Sequence, residues 1–288
     1  MSELIKTILS PFGAILDFIQ KYFKSLLFLL IIFLIFFSSD KALIEPNLMQ
    51  IDIKGVIEDE SLFLEKIKEA ENKSIKGVLL VVNSPGGAVS PSVEMSLAIK
   101  RLKKEKPVIA YAAGTMASGS YYASIWADKI IANPGATIGS IGVLFQGANV
   151  KELMDKIGIK EQSITAGKYK QAGTPTREWK PYEKEEIERL IKDTYDMFVG
   201  DVAKARGLDI NKSSQFADAH IFSAKRAKKV GLIDETGTLY SAKKELEKIS
   251  KVKKAIWKKE DRFDKFMEKF AKEAMFGLYN HLNGLKAY

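Results

Sequence analysis

The chain has 288 residues, a formal net charge of +9 and a hydrophobic content of 46%, which is typical of a globular protein with a substantial core. It contains no cysteine, which excludes disulfides, thiolate metal sites and a cysteine nucleophile. The lysines are interleaved with glutamates over most of the chain and form no long block. The positive charge therefore predicts a solvated surface, and we expect no nucleic-acid partner.

One apolar run, residues 25–37, stands near the N-terminus and has no polar residue after Ser25. With Tyr22 and Phe23 it approaches the lower limit for a membrane-spanning helix, near 17 residues. A cleaved signal peptide is the alternative, but the run starts late and residues 38–40 form a poor cleavage site. Three lysines precede the run and Asp40 follows it, so the positive-inside rule predicts that the bulk of the chain lies outside the cytoplasm.

These features divide the chain into five predicted parts. They are a cytoplasmic segment at 1–24, a transmembrane anchor at 25–39, a linker at 40–48, a catalytic domain at 49–240 and a lysine-rich helical tail at 241–288. A solvated tail is one interpretation of the last part. Its aromatic residues also suit packing on a neighbouring subunit or contact with the membrane; they are Trp257, Phe263, Phe266, Phe270 and Phe276.

Strand-like and helix-like stretches alternate from Met49 onward. Strands are predicted at 49–54, 77–82, 107–113, 129–132, 141–145 and 159–165, and helices at 61–72, 89–104, 151–157 and 181–206. The run 77–82 is continuously apolar, as expected for a strand buried on both faces. This rhythm predicts an α/β domain with a largely parallel central sheet.

Two loops that follow predicted strands carry candidate chemistry, because ligands bind at strand ends in open α/β sheets. The segment Asn83-Ser-Pro-Gly-Gly87 can aim backbone amides at a developing oxyanion, or it can be a plain turn. The segment Gly114-Thr-Met-Ala-Ser-Gly-Ser-Tyr-Tyr122 places Ser118 at a helix N-terminus, either as a nucleophile or as a helix cap. Ser120 is a second candidate on the same turn.

A serine nucleophile needs a general base. His220 and His281 are the two histidines, and neither lies near these loops in sequence. Lysine is the alternative base, provided that burial keeps its amine neutral. The loop Thr165–Pro175 contains Lys168 and Lys170, which are otherwise interpreted as two solvated lysines.

Five segments in this order resemble the signal peptide peptidase A family of Ser–Lys serine peptidases, the S49 group, in its short single-domain form. They are Asn83-Ser-Pro-Gly-Gly87, Met116-Ala-Ser-Gly-Ser-Tyr-Tyr122, Ala132-Asn-Pro-Gly-Ala-Thr-Ile-Gly-Ser-Ile-Gly142, Ala166-Gly-Lys-Tyr-Lys170 and Phe222-Ser-Ala-Lys-Arg-Ala-Lys-Lys-Val-Gly-Leu-Ile-Asp234. No single segment is specific, but the ordered set is. The resemblance covers roughly residues 49–240.

The resemblance implies a crotonase/ClpP-like fold behind one transmembrane helix. It implies Ser118 as nucleophile, Lys170 rather than Lys168 as base, and the amides of Gly87 and Gly119 as oxyanion hole, without metal or cofactor. It also implies a homo-oligomer in which adjacent protomers share each active site. Three positions depart from the family pattern, namely Ser120 where glycine is usual, Ala166 for serine and Gln171 for aspartate.

The expected function is that of a membrane-bound serine endopeptidase that degrades signal peptides or other apolar peptides after secretion. Its expected location is the cell (inner) membrane, with one span and an extracytoplasmic catalytic domain. The alternatives are an acyl-CoA hydratase or isomerase, or a non-catalytic membrane scaffold, each on the same fold. A further alternative is the related peptidase of stomatin-like proteins, which often carries extra spans and a small barrel domain.

Overall fold

The computed structural model describes residues 17–33 and 45–258. Residues 17–33 form a helix, α1, in a first unit that comprises Met1–Glu45 and Lys259–Tyr288; the second, compact unit is Pro46–Lys258. Within the described residues, no helix has both the length and the apolar character that a membrane span requires. Residues 34–39 of the predicted anchor, most of the linker and the tail from 259 onward lie outside the described part of the chain.

The compact unit is built on one sheet. Its strands are β1 (Leu48–Ile57), β2 (Gly77–Gly87), β3 (Val108–Ala117), β4 (Lys129–Ala132), β5 (Thr137–Gly139), β6 (Ile221–Ser223) and β7 (Glu235–Thr236). Its helices are α2 (Ser61–Ala70), α3 (Val89–Leu102), α4 (Gly119–Ser124), α5 (Lys151–Lys156), α6 (Pro181–Arg206), α7 (Ala224–Lys229) and α8 (Leu239–Ile249), with a 3-10 helix at Ile210–Gln215.

The strands pair in the order β1-β2-β3-β4-β7, and all of these pairs are parallel. Strand β3 changes partner along its length, since its first half pairs with β4 and its second half, from Thr115, pairs with β5. Strand β6 adds to β5 as the antiparallel pair. The predicted α/β fold with a largely parallel sheet is thus confirmed.

The central strands are buried on both faces, as their apolar sequence predicts. Along β2, Val78, Leu80 and Val82 point into the larger core, which α2, α3, α4 and α6 cover. The alternating residues Leu79 and Val81 point to the other face. There they pack against the apolar side of α8 and the segment that ends at Trp257, a cluster that includes Ala242, Leu246 and Val252.

The compact unit extends to Lys258, past the predicted domain end at Tyr240. Trp257 forms a bridge to Leu48, and the Leu48 N–H donates to the Ile256 carbonyl over 3.1 Å. The Lys258 N–H donates to the Leu48 carbonyl over 2.7 Å. The difference arises because α8 supplies the apolar cover that one face of the sheet requires.

Two predicted strands do not form. Residues 141–145 and 159–165 have no regular structure, and all of 159–165 is exposed. Three other strands run further than predicted, β1 to Ile57, β2 to Gly87 and β3 to Ala117. The glycine-rich loop expected after β2 is therefore largely the end of the strand, where Ile57 pairs with Gly87.

Candidate active site

The carboxyl ends of β2 and β3 are joined around a break in their register. Pairing is regular up to Val82 and resumes with Ser84 opposite Met116. Asn83 occupies the break, where its Oδ1 accepts a hydrogen bond from the Thr115 N–H over 3.0 Å. A β-carbon at Gly114 would lie 2.5 Å from that same oxygen, so glycine is required there. Small residues in both loops thus allow the two strand ends to approach each other.

Ser118 has a strained backbone at the start of α4. Its φ is 51° and its ψ is −126°, a conformation that residues with a β-carbon rarely adopt. Two backbone hydrogen bonds hold it, from the Ser118 N–H to the Gly139 carbonyl (2.8 Å) and from the Tyr122 N–H to the Ser118 carbonyl (3.0 Å). Its side chain makes no capping hydrogen bond to the helix, which argues against the helix-cap interpretation. This is the geometry of a sharp strand-to-helix turn that displays a serine.

Three glycines pack tightly around Ser118. A β-carbon at Gly86, whose φ is +95°, would lie 2.6 Å from the Gly119 nitrogen and 2.8 Å from the Ser118 β-carbon. A β-carbon at Gly119 would lie 2.2 Å from the Ser92 Oγ and 3.3 Å from the Gly87 nitrogen. The Gly87 and Gly119 backbones are therefore neighbours, and both line the cavity that Ser118 lines.

Ser120, the second candidate nucleophile, is fully buried. Its hydroxyl has one proton to donate and two carbonyls within reach, that of Ser84 (2.7 Å) and that of Ala117 (2.9 Å), and it accepts from the Ala117 N–H (3.0 Å). Those bonds tie β2, β3 and α4 together. Ser120 thus has a structural role in this conformation, at a position where the family usually has glycine.

A cavity of about 640 Å³ opens beside Ser118. Most of its wall is apolar and comes from α3, the segment after β5, and α6; examples are Val89, Val93, Leu144, Met197 and Phe198. Tyr122 forms another part of the wall, edge-on to Phe198, with 4.8 Å between ring centroids. A cavity of this kind can hold an apolar side chain of a ligand beside Ser118.

Tyr122 is the polar element of the apolar wall. Its hydroxyl donates to Asp201 Oδ2 over 2.5 Å. Burial, together with this hydrogen bond to a carboxylate, raises the pKa of Tyr122 well above its ordinary value. The hydrogen bond from Tyr122 to Asp201 joins α4 to α6.

Sequence reasoning missed two further residues of the site, Ser140 and Ser92. Ser140 lines the cavity with a φ of 50°, and its N–H donates to the His220 carbonyl over 2.8 Å. Ser92 also lines the cavity, and its Oγ donates to the Ala88 carbonyl over 2.7 Å. The Gly-Ser-Ile-Gly motif could have pointed to Ser140. Ser92 lies within a predicted helix, and no motif in the sequence marks it.

Lys170 is not brought next to Ser118 within one chain. It is exposed, and the described residues that line the Ser118 cavity include neither Lys170 nor Lys168. The Lys168 Nζ lies 4.6 Å from the Tyr182 ring centroid and 5.3 Å from that of Tyr169. The two sides of the expected dyad thus occupy different surroundings, one enclosed and the other open to solvent.

The loop that carries Lys170 is fastened to the start of α6 by an ion pair between the partly exposed Arg177 and the buried Glu183. Arg177 binds the two carboxylate oxygens of Glu183 over 2.7 and 2.8 Å, and it also donates to the Gln171 Oε1 over 3.2 Å. Arg177, with the Lys180 N–H, lowers the pKa of Glu183 to about 2. Gln171, the neighbour of Lys170, is therefore tied to the helix.

His220 is exposed and lies edge-on to Phe222, with ring centroids 6.0 Å apart. It contributes its carbonyl to the Ser140 hydrogen bond, and its side chain is not part of the cavity wall. His281 lies outside the described residues. In the ranges 17–33 and 45–258, no group of three or more acidic or histidine side chains is arranged to hold a metal ion.

Comparisons with known proteins agree with this architecture. The profile of peptidase family S49 matches residues 100–253. A Methanocaldococcus jannaschii protein with the provisional name of a protease is 46% identical over 182 residues, which are 63% of this chain and 58% of that protein. An Enterococcus faecium protein provisionally named signal peptide peptidase SppA is 36% identical over 192 residues, 66% of this chain and 56% of that protein.

A solved structure shares the fold. It is a mutant of the membrane-bound stomatin-specific protease 1510-N in complex with a substrate peptide, with a TM-score of 0.51 and 18% identity over 80% of this chain and all of that chain. The parallel sheet, the strained serine turn and the cavity beside it thus define an α/β protein of the peptidase type. The chain belongs to peptidase family S49.

Proposed function

We propose that this chain is a membrane-anchored serine-type peptidase that uses Ser118 as nucleophile and Lys170 as general base. The observation that carries the proposal is the strained backbone of Ser118 at a mostly apolar cavity. Strain of this kind persists where surrounding structure enforces it, and it clusters at active sites. The membership in a peptidase family supports the same reaction class.

In the proposed reaction, the neutral Lys170 amine takes the proton of the Ser118 hydroxyl as its oxygen attacks the scissile carbonyl. The backbone amides of Gly87 and Gly119 stabilise the oxyanion. Protonated Lys170 then gives its proton to the leaving amine, and water hydrolyses the acyl-enzyme with Lys170 again as base.

A second copy of the chain would supply the base. A lysine base must be shielded from water, yet Lys170 is exposed in the single chain. Helix α5, which precedes the Lys170 loop, has no buried residue, and Leu153 and Ile157 expose 59% and 60% of their surfaces. These exposed apolar residues suit an interface between copies, in which Lys170 of one copy reaches Ser118 of the next.

The proposed substrates are signal peptides or other extended apolar peptides after secretion. The apolar cavity wall supports this class, since an extended peptide would place an apolar side chain there. The apolar run at residues 25–39 is proposed as a single anchor in the cell membrane, with the compact unit extracytoplasmic. Two of the similar proteins described above support the same assignment, the Enterococcus faecium protein named as a signal peptide peptidase and the membrane-bound stomatin-specific protease.

Mixing two inactive variants tests the dyad. Ser118→Ala and Lys170→Ala should each abolish cleavage of a quenched signal-peptide substrate, whereas Lys168→Ala should retain it. When the two inactive chains are assembled together, about a quarter of the sites should regain both groups if adjacent copies share each site. A mixture that stays inactive would place both groups in one chain.

Labelling of the nucleophile completes this test. A serine-directed fluorophosphonate should modify Ser118, as located by peptide mass spectrometry, and should leave Ser120 unmodified. Cleavage retained by folded Ser118→Ala would remove the nucleophile assignment. A folded, assembled chain that neither reacts with the probe nor cleaves any peptide would instead support the non-catalytic scaffold.

A further inference from the structure

The fold brings nine of the chain's 45 lysine and arginine residues to one end of the sheet. Three segments lie there, residues 71–76, 103–107 and 250–258, and we call them the basic edge. They contain Lys73, Lys76, Lys103, Lys104, Lys106, Lys251, Lys253, Lys254 and Lys258. With Glu71 and Glu105 as their acidic residues, these segments carry a net charge of +7, against +9 for the whole chain.

Parallel strands bring the three segments together, because β1, β2 and β3 all begin at this edge. The Lys76 N–H donates to the Asn47 carbonyl over 2.7 Å, next to the start of β1. Buried Lys106 ties two of the segments, since its Nζ donates to the carbonyls of Ala70 (2.5 Å) and Asn72 (3.0 Å). The third segment joins through the bonds between Ile256, Lys258 and the start of β1.

Most of this charge is not neutralised locally. Lys103 pairs with Asp128 over 3.6 Å, and Lys258 pairs with Glu69. Six lysines are exposed and have no ion-pair partner within the described residues; they are Lys73, Lys76, Lys104, Lys251, Lys253 and Lys254. Like charges held this close repel one another, so an anionic partner at this surface would be favourable.

The basic edge is separate from the candidate active site. Lys76 stands just before β2, and Gly87 is the last residue of that strand. At about 3.3 Å per residue, the strand places the cavity about 30 Å or more from the basic edge. The charge therefore does not line the cavity, and a direct role in binding the scissile peptide is excluded by distance.

We propose that the basic edge binds the surface of an anionic lipid bilayer. The inference rests on the proposed anchor at residues 25–39, because only residues 40–45 then separate the anchor from Pro46 and the start of β1. A six-residue link spans at most about 20 Å, so the anchor would hold this edge close to the headgroups. Each lysine near an anionic surface strengthens binding about fivefold. Because the tether is short and keeps the lysines near the bilayer, this modest attraction is enough to orient the domain.

The composition of the edge favours lipid over nucleic acid. Single-stranded nucleic acids bind basic grooves that also offer aromatic rings for base stacking. Trp257 is the aromatic residue in these segments; it packs in the core cluster below α8, and the Lys243 Nζ lies 4.8 Å from its ring centroid. In the proposed orientation the cavity faces away from the bilayer, so peptides are cut only after they extend about 30 Å from its surface.

Acetylation of lysines in the intact chain tests this orientation. The full chain is reconstituted in nanodiscs of phosphatidylcholine alone or of phosphatidylcholine with phosphatidylglycerol, and the labelling rate of each lysine is read by mass spectrometry. We expect Lys251, Lys253 and Lys254 to react at least about fivefold more slowly in the anionic discs, an effect that high salt removes. Lys184 and Lys192 on α6 should react equally in both.

Charge reversal supplies the matched control. The double variant Lys73→Glu with Lys76→Glu should return the labelling of Lys251, Lys253 and Lys254 toward the rate in neutral discs. Lys184→Glu with Lys192→Glu should not. Peptide cleavage is measured in the same discs, so that a failed orientation and a failed peptidase are recognised separately.

Three results would overturn the inference. One is equal labelling of the basic edge in both kinds of disc by a chain that is inserted and cleaves peptide. Another is a chain that does not insert into the discs at all, since the anchor is then lost. The last is stronger protection of these lysines by duplex DNA or RNA than by anionic discs, which would identify a nucleic-acid surface.

Discussion

The surroundings of Ser118 and of Lys170 differ in almost every structural respect. Ser118 is half-buried where β2 and β3 end, and Gly86, Ser120 and Tyr121 beside it are buried. Residues 159–170, which end at Lys170, are exposed throughout and form no strand or helix. The surroundings of Ser118 are thus built on the chain's own core, whereas none of the described residues covers Lys170.

This difference indicates which contacts stabilise each part of the site. Packing of the sheet against α3, α4 and α6 holds the strained serine in place, so that part should be ready in a single chain. The Lys170 loop has an ion pair at its root but no cover, so its working geometry should depend on assembly. Each of the following experiments perturbs either the surroundings of Ser118 or those of Lys170.

The largest effect is expected from Gly86→Ala. The new β-carbon would lie within 2.8 Å of the Ala117 oxygen at a φ of +95°, so the free energy of unfolding should fall by about 3 kcal/mol or more and activity should be lost. Gly158→Ala is the control in the exposed region; it also has a positive φ but open space around it, and should cost about 1–2 kcal/mol. Urea unfolding measures both, and equal losses would show that the serine turn is not tightly packed.

Next in size is the effect of the paired substitution Leu153→Asp and Ile157→Asp on assembly. Both side chains are exposed in the single chain, so the free energy of unfolding of the monomer should change by less than about 0.5 kcal/mol. The oligomer should dissociate and cleavage should disappear with it, as measured by light scattering and peptide assay. Leu62→Asp on α2, where 74% of the residue is exposed, should affect neither. An active, dissociated variant would show that one copy suffices.

An intermediate effect is expected from Glu183→Gln at the root of the Lys170 loop. Because the folded pKa of Glu183 is about 2, below its unfolded value near 4.3, its stabilising effect is present above that unfolded value and is lost as the pH falls toward 2. The melting temperature of the variant should be lower than that of the wild type at pH 7, and this gap in melting temperature should close in acid. Glu185→Gln, which alters an exposed ion pair with Arg189, should give a small gap at neutral pH. A gap that widens in acid would contradict the assigned pKa.

The smallest expected effect is the difference in stability between two substitutions of Ser118 itself. Ser118→Gly should be more stable than Ser118→Ala by about 1 kcal/mol, because glycine adopts the positive φ of this turn without strain. At Ser124, the last residue of α4, the order should reverse, and alanine should be the more stable by about 1 kcal/mol. Thermal unfolding of the four variants measures this. The same order at both positions would show that the turn relaxes when the hydroxyl is removed.

Much of the fold was predictable because its signals are local. The apolar run of β2 and the β-α-β rhythm depend on neighbours a few residues apart, and the structure has β1 to β4 and the helices between them close to where they were predicted. The strand predicted at 159–165 failed because its pattern says nothing of a partner strand, and the described residues provide none. The position of Ser118 on a strand-to-helix turn was predictable from the small residues around it.

Other properties depend on contacts between distant parts of the chain. The positive φ of Ser118 and the burial of Ser120 follow from the approach of β2 to β3 across their register break, which no local pattern reveals. The basic edge shows the same limit, since its lysines look interleaved with glutamates along the chain and meet only because parallel strands begin at one edge.

The amino-acid sequence by itself therefore determined the family, the strands β1 to β4, the helices α2, α3, α5 and α6, and the residues proposed for catalysis. Tertiary structure alone decided which serine is strained and reachable, which lysines share a surface, and that Lys170 stays open to solvent in a single chain. The reason is physical: propensity and apolar periodicity act over a few residues, whereas strain, enclosure and clustered charge arise only when segments far apart in sequence pack together.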